Sequence, residues 1–206
     1  MNTDNKCRLC RREGQKLFLK GERCFSPKCP LEKKGAVSPG FRGRGLRRKK
    51  GVSEFGLRLR EKQKAKRIYK VRERQFKNYV RRGRKKKQAT GEALLQLLET
   101  RLDNVILRLG FVSGRSMARQ IVSHRHILVN NKKVNIPSYQ VKPGATVSLA
   151  QNSLKILPVR ESLDKKMAVP GWLERKGPVG RMVRFPKREE ITADINERLI
   201  IEYYSK

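Results

Sequence analysis

The chain has 206 residues, in which 52 lysines and arginines face 18 aspartates and glutamates, a formal net charge of +34. That length leaves room for one or two ordinary domains and excludes a large enzyme. A charge of this size repels itself unless a polyanion neutralises it, which points to nucleic acid. A basic membrane-surface protein is the rival reading, but no apolar run approaches the roughly 18–20 residues of a span, and no amphipathic anchor or lipidation signal is visible.

The first element along the chain is a cysteine module. Cys7, Cys10, Cys24 and Cys29 are spaced C-x2-C-x13-C-x4-C, and no cysteine follows them. Ligand pairs separated by two to four residues let one tight turn present two sulfurs, and four thiolates close a tetrahedral structural zinc site with no open position for catalysis. The segment MNTDNKCRLC has no apolar export core, so the thiols are expected to stay reduced and to favour metal over disulfides. An iron–sulfur cluster would accept the same four ligands, so one structural zinc is the first expectation and a cluster the second.

Residues 35–51 hold five glycines, one proline and the cations Arg42, Arg44, Arg47, Arg48, Lys49 and Lys50. Such a stretch buries no core and is expected to lie extended along a phosphate backbone. Its GFRGRG piece follows no strand and lacks GK[ST], which sets aside a phosphate-binding loop. Residues 53–82 read as helical: Ser53 is a candidate cap, Glu54/Arg58 and Glu73/Lys77 are spaced four apart, and Ile68, Phe76 and Val80 trace an apolar stripe. The run Arg81-Arg82-Gly83-Arg84-Lys85-Lys86-Lys87 is expected to break that helix and to face the polyanion. Residues 1–90 carry 32 of the 52 basic side chains but 7 of the 18 acidic ones, so the remainder reads as the more ordinary globular part.

From Thr90 the texture changes. Leu94, Leu95, Leu98, Leu102, Val105, Ile106 and Leu109 recur at helical spacing before Gly110, a candidate C-cap. A second helix is expected from Arg115 to about His124, opened by Ser113 or Gly114. Ile127-Leu128-Val129 and Lys133-Val134-Asn135 then flank Asn130-Asn131-Lys132 as a β-hairpin, with a further strand over Ala145–Leu149. A short helix within 188–204, marked by Ile191, Ile195 and Leu199, precedes the pair Ile200-Ile201. There is no internal repeat.

Arg115 and Arg119 lie one turn apart, where guanidinium forks bind phosphates, and the helix start near Gly114 adds backbone donors. The plain alternative is a solvated cationic face. His124 and His126 have no neighbouring carboxylate or nucleophile in sequence and read as hairpin packing. Asp103, beside Arg101, reads as an ion-pair partner. No P-loop, HExxH or GxSxG signature occurs, so no enzyme is expected.

Six collinear segments carry a resemblance: CRLCRREGQKLFLKG at 7–21, RLREKQKAKRIY at 58–69, ERQFKNY at 73–79, TGEALLQLLETRLDNVILRLGF at 90–111, NIPSY at 135–139 and INERLIIEYYSK at 195–206. Together they resemble the bacterial-type ribosomal protein S4 family in its four-cysteine form, over nearly the whole chain. The resemblance implies an α+β, mainly helical fold with an N-terminal zinc knuckle, a helical domain and an αL-like RNA-binding module of two helices packed on a small β-sheet. The expected divisions are a knuckle at 1–34, a basic extension at 35–52, and a helical domain at 53–90 completed by 188–206. A second domain follows at 91–187, with the module at about 91–150.

Implied partners are small-subunit ribosomal RNA at a multi-helix junction of its 5′ domain, ribosomal protein S5 and other small-subunit proteins, and messenger RNA near its entry channel. The family influences decoding accuracy, and some members repress their own operon. The expected location is a ribosome of the cytoplasm, or of an organelle, with no membrane and no small-molecule substrate. Position by position, Arg115, Arg119 and Gln120 match the family's GRxxARQ-like RNA-contacting segment. Arg125 and Asn131 stand where the family usually has glycine; asparagine tolerates a left-handed backbone, whereas arginine is less comfortable there but can add a phosphate contact. Lys132, Lys62, Arg72, Arg81 and Arg82, with the six cations at 42–50, complete the expected RNA-contact set.

Two other classes compete. A base-modifying enzyme borrowing the same module would need a separate catalytic domain of well over 100 residues, and the cationic 1–90 segment is no such domain. A free-standing zinc-dependent RNA regulator would share the cysteines and the charge, but nothing in it would require the INERLIIEYYSK match.

Overall fold

The computed structural model describes residues 6–40, 51, 53–86, 88–165 and 167–205. The expected contacts Arg42, Arg44, Arg47, Arg48, Lys49 and Lys50 lie outside the described residues. In chain order the described helices are α1 (Lys6–Glu13), α2 (Pro30–Lys34), α3 (Glu54–Tyr69), α4 (Glu73–Arg84), α5 (Thr90–Glu99), α6 (Leu102–Arg108), α7 (Arg115–Ser123), α8 (Leu157–Asp164) and α9 (Glu197–Ser205). The strands are β1 (Ile127–Val129), β2 (Lys132–Lys133), β3 (Thr146–Leu149), β4 (Leu173–Lys176) and β5 (Val179–Met182).

The chain forms two compact units, one of residues 1–80 with 193–206 and one of residues 81–192. The division falls inside α4, earlier than the 90/91 boundary expected from charge texture. Gly83 gives the reason: a Cβ there would stand 3.2 Å from the Thr90 carbonyl and 3.4 Å from the Leu94 nitrogen, so the end of α4 packs on the start of α5. The helix runs on through Arg81, Arg82 and Gly83 and ends at Arg84, inside the basic run.

In the first unit, α3 begins where the Gly56 N–H donates to the Ser53 hydroxyl at 3.2 Å, an N-cap that satisfies one of the open donors of the first turn. The helical reading of 53–82 is interrupted at Lys70, which caps α3 in the left-handed region with φ 52°. Doubling back lets Ile68, Val71, Phe76 and Val80 all be buried, which one straight helix could not do. On the other side, Glu13 of α1 is buried against Arg60, at 3.4 Å, and Arg67. Burial pushes its carboxyl pKa up against the pull of those guanidinium groups.

Helix α9 packs along α3. It starts at Glu197 rather than near 188, where a 3-10 turn (Arg188–Glu190) stands instead. Arg58 donates to Glu202 at 2.9 Å, and the Lys62 ammonium sits 4.3 Å from the Tyr203 ring centre. Glu73, expected to pair with Lys77, instead accepts from Lys62 (3.1 Å), Lys66 (2.5 Å) and the Tyr204 hydroxyl (2.6 Å).

Burial alone would raise the Glu73 pKa, but the hydrogen bonds from Lys66, Tyr204 and Lys62 outweigh it and hold the carboxyl at about 2. A carboxyl depressed on folding stabilises the native state above its ordinary pKa of 4.5, and that contribution is lost as pH falls through about 2. The side chain is 46% exposed. Screening therefore limits the effect to about 1 kcal/mol. Urea unfolding should show Glu73→Gln less stable than wild type at neutral pH, with the gap closing between pH 4.5 and 2. A gap independent of pH would contradict this assignment.

The second unit opens with the leucine-rich run, whose seven marker residues are all fully buried. The run is two helices, not one: Thr100 ends α5, and Arg101 adopts extended ψ 140° before α6. The freed backbone groups are taken up by the segment around 137–141. Leu102 N–H donates to Tyr139 O (2.8 Å), Asp103 N–H to Pro137 O (3.1 Å), and Val141 N–H to Thr100 O (2.9 Å). Arg101, fully buried, donates through Nε and Nη2 to the two Asp103 oxygens at 3.0 and 2.6 Å. Beside it the Glu99 carboxylate accepts from Asn104 (2.6 Å) and twice from Arg108 (2.9 Å each).

The sheet is antiparallel, in the order β2-β1-β3-β5-β4. Its first hairpin turns through Asn130 (φ 49°) and Asn131 (φ 63°), a pair of left-handed residues whose twist suits a two-residue hairpin loop. The expected module ends near residue 150, and beyond it β5 pairs with β3 through Thr146–Arg181, Val147–Gly180 and Ser148–Val179, so the sheet continues to Met182. Gly180 is required there: a Cβ would fall 2.6 Å from the Leu109 methyls. Arg175 on β4 closes the unit from outside the core. Its guanidinium donates to the carbonyls of Leu109 (3.1 Å), Leu163 (2.9 Å) and Gly177 (3.1 Å), and so collects open acceptors at the ends of α6 and α8.

Candidate nucleic-acid interface

Helix α7 is built to show one face. Ala118, Ile121 and Val122 are buried, and Met117 packs against the same core. That arrangement turns Arg115 and Arg119 outward, half-buried and one turn apart, with Gln120 exposed beside them. Gly114 precedes the helix with an extended backbone and no side-chain cap, leaving the first-turn N–H groups directed out of the helix end. Two guanidinium groups with a helix N-terminus form an arrangement suited to phosphate oxygens.

At the other end of α7, His124 N–H donates to Gln120 O (2.9 Å), Arg125 N–H to Val122 O (3.0 Å), and His126 N–H to Ile121 O (3.1 Å). Arg125 makes this cap with φ 62°, in the left-handed region that normally selects glycine. The strain costs about 1–2 kcal/mol, part of which a glycine would return as chain entropy. Arg125→Gly should therefore raise the unfolding free energy of the second unit by about 0.5–1 kcal/mol in urea. It should also weaken RNA binding, because an exposed cation is removed. A glycine variant no more stable than wild type, or one that binds RNA equally well, would speak against strain being held here for presentation.

Lys132 is exposed in β2, opposite Val129. Its neighbour Lys133, exposed as well, is legible in the sequence as strand but not as a candidate contact. Arg81 and Arg82 are exposed on α4 or at its surface, and Arg72 is exposed at the turn between α3 and α4. Lys62 requires a correction. It is 4% exposed, its ammonium held between Glu73 and the Tyr203 ring, so it is an internal cation of the α3–α9 packing rather than an RNA contact. Helical position alone does not reveal this, because the partner ring arrives from the far end of the chain. The histidine rings stand 6.3 Å apart, and the His126 carbonyl accepts from Ala150 N–H at 2.9 Å, a packing role.

The cysteines come from three elements. Cys7 and Cys10 lie on α1, Cys24 ends the 3-10 turn Gly21–Cys24, and Cys29 caps α2. All four line one small cavity; Cys10, Cys24 and Cys29 are buried and Cys7 is half-buried. Among the described residues no group of three or more histidine, cysteine or acidic side chains is closed to metal-ligating spacing. Burial pushes the Cys10 thiol up, a hydrogen bond involving the Leu17 backbone opposes it, and the charges of Cys24, Cys7 and Cys29 push it up further. The Lys20 N–H donates to the Cys24 sulfur at 3.4 Å.

Comparison with known proteins matches residues 1–99 to a family model described as the ribosomal protein S4/S9 N-terminal domain, and residues 100–147 to the S4 domain. The chain is 55% identical over 204 residues to the small ribosomal subunit protein uS4 of Dictyoglomus turgidum, covering 97% of this chain and 96% of that one. It is 53% identical to the uS4 protein of Natranaerobius thermophilus and 48% identical to that of Thermus thermophilus, with the same coverage in both.

Proposed function

We propose, for a chain that belongs to the uS4 family of small ribosomal subunit proteins, a structural role in the ribosome through binding of small-subunit ribosomal RNA. The family is not an enzyme family, and the function is one of architecture. The observation that carries this reading is similarity along nearly the full length, with cations turned outward from α7 by its buried face. The finer reading is a primary contact with a junction in the 5′ domain of that RNA, made early in assembly. In the finished particle it places the protein beside ribosomal protein S5, near the messenger entry channel, where it contributes to decoding accuracy. Co-sedimentation with small subunits at high magnesium, followed by footprinting on naked ribosomal RNA, tests both levels. Protection confined to regions outside the 5′ domain would overturn the finer one.

The cysteine module extends this reading to one structural zinc. Cys7, Cys10, Cys24 and Cys29 would hold the ion, whose contribution is charge neutralisation and cross-linking of α1, the 3-10 turn and α2. An all-sulfur donor set without a carboxylate suits zinc. Purified protein should contain about one equivalent of zinc per chain, as four thiolates close one site. Replacing Cys7 and Cys24 together by serine should abolish it while leaving unfolding of the 81–192 unit unchanged. Full metal content in that variant would refute the assignment.

A further inference from the structure

We propose that Phe18 and Phe25 form a platform on which an unpaired RNA base stacks. Side chains alternate through this part of the chain. Leu17, Leu19 and Cys24 are at most 9% exposed, whereas Phe25 is 75% exposed and Phe18, one side of which lines the cysteine cavity, 42%. The two rings stack on each other with centroids 4.9 Å apart and planes 26° from parallel. Phe18 reaches this position with φ 50°, a left-handed backbone that a bulky side chain rarely adopts.

The surroundings identify the occupant. Lys20, Arg23 and Lys28 are exposed on the same short segment, and the chain as a whole carries +34. A flat aromatic face on a segment with more exposed cations than acids matches a ligand that is flat and aromatic in one part and anionic in the next, which is a nucleotide of a single strand. Stacking is tolerant of base identity, since each base has a π face, so the platform adds hold rather than sequence choice. A membrane surface fits less well, because neither ring stands on a helix whose apolar face could lie in the interface. The outer face of Phe25, the more exposed ring, is the natural landing surface, with Phe18 fixing it from behind.

This inference rests on the ribosomal RNA reading, and the experiment separates the two. Full-length zinc-loaded protein is titrated with naked small-subunit ribosomal RNA at fixed salt. Trp172 is the single tryptophan and is buried, so a second one introduced as Phe25→Trp reports on the surface. Phe25→Trp should bind like wild type, with its added fluorescence quenched on saturation. Phe18→Leu/Phe25→Leu keeps apolar bulk but loses both π faces. It should bind about tenfold more weakly, the scale of one lost base stack, with zinc content and circular dichroism unchanged. No binding by wild type would overturn the RNA reading itself. Wild-type binding, with Phe25→Trp unquenched and the leucine variant at full affinity, would overturn the platform alone. Full RNA affinity combined with poor incorporation into reconstituted subunits would also overturn it, and would assign the rings to a protein neighbour.

Discussion

Replacing Asp103 by alanine should destabilise the 81–192 unit by about 3–5 kcal/mol, a large fraction of what holds a domain of this size together. The reason is the cation left behind. Arg101 is fully buried and sends two N–H groups to the Asp103 carboxylate, at 3.0 and 2.6 Å. Guanidinium does not deprotonate in proteins, so losing the Asp103 carboxylate takes two hydrogen bonds and a counter-charge from a cation that can neither neutralise itself nor reach water. The pair also sits at the α5–α6 break, where Leu102 and Asp103 N–H groups bind the 137–139 strap, so a displaced Arg101 would loosen that strap too. Urea unfolding checks the size of the loss. Arg101→Met/Asp103→Leu, which removes both charges, should recover much of it. If that double variant is as unstable as Asp103→Ala, packing rather than the orphaned charge is responsible.

Arg115→Ala/Arg119→Ala should lower affinity for junction RNA far more than loss of two lysines elsewhere. Each arginine supplies charge-assisted hydrogen bonds worth roughly 1.5–3 kcal/mol where water is excluded. The buried backing of α7 fixes both in place and lowers the entropy lost on binding. Lys85→Ala/Lys86→Ala removes equal charge from the end of the basic run, where screening leaves each cation little individual weight. Arg115→Lys/Arg119→Lys holds net charge constant while removing the forks, and should fall between the two. Affinities at one salt concentration, with circular dichroism as a folding control, decide the matter. Equal losses in the two alanine variants would mean that the protein responds to net charge and not to this face.

What the sequence discloses is what depends on local pattern. The Ser53 cap, the helix from Arg115 and the Asn130-Asn131 turn each follow from residues within a few positions of one another, and each stands in the structure. What it hides depends on partners distant in sequence. Periodicity carries the leucines smoothly through Thr100 and Arg101, because the break is stabilised by carbonyls and N–H groups near residue 140. The second hairpin escapes notice because β4 reads Leu-Glu-Arg-Lys and β5 Val-Gly-Arg-Met, too charged and too glycine-rich to look like strands. Only pairing with β3 and the close approach of Leu109 to Gly180 explain those residues. Lys62 reads as solvent-facing for the same reason: Tyr203, the ring beside its ammonium, is remote in sequence.

That remoteness also governs how the molecule comes into being. Translation delivers a chain from its first residue to its last, and domains tend to close in the order in which they emerge. Here residues 1–80 are completed by 193–206, so an earlier-made segment waits for one that lies beyond the whole 81–192 unit. The 81–192 unit is continuous in sequence and can close as soon as it has emerged. Until α9 arrives, Glu73 lacks the Tyr204 hydroxyl and Lys62 lacks the Tyr203 ring, and the most basic half of the nascent chain stays open. Docking of α9 thus closes the first unit, and a product lacking α9 would carry the charge without the shape.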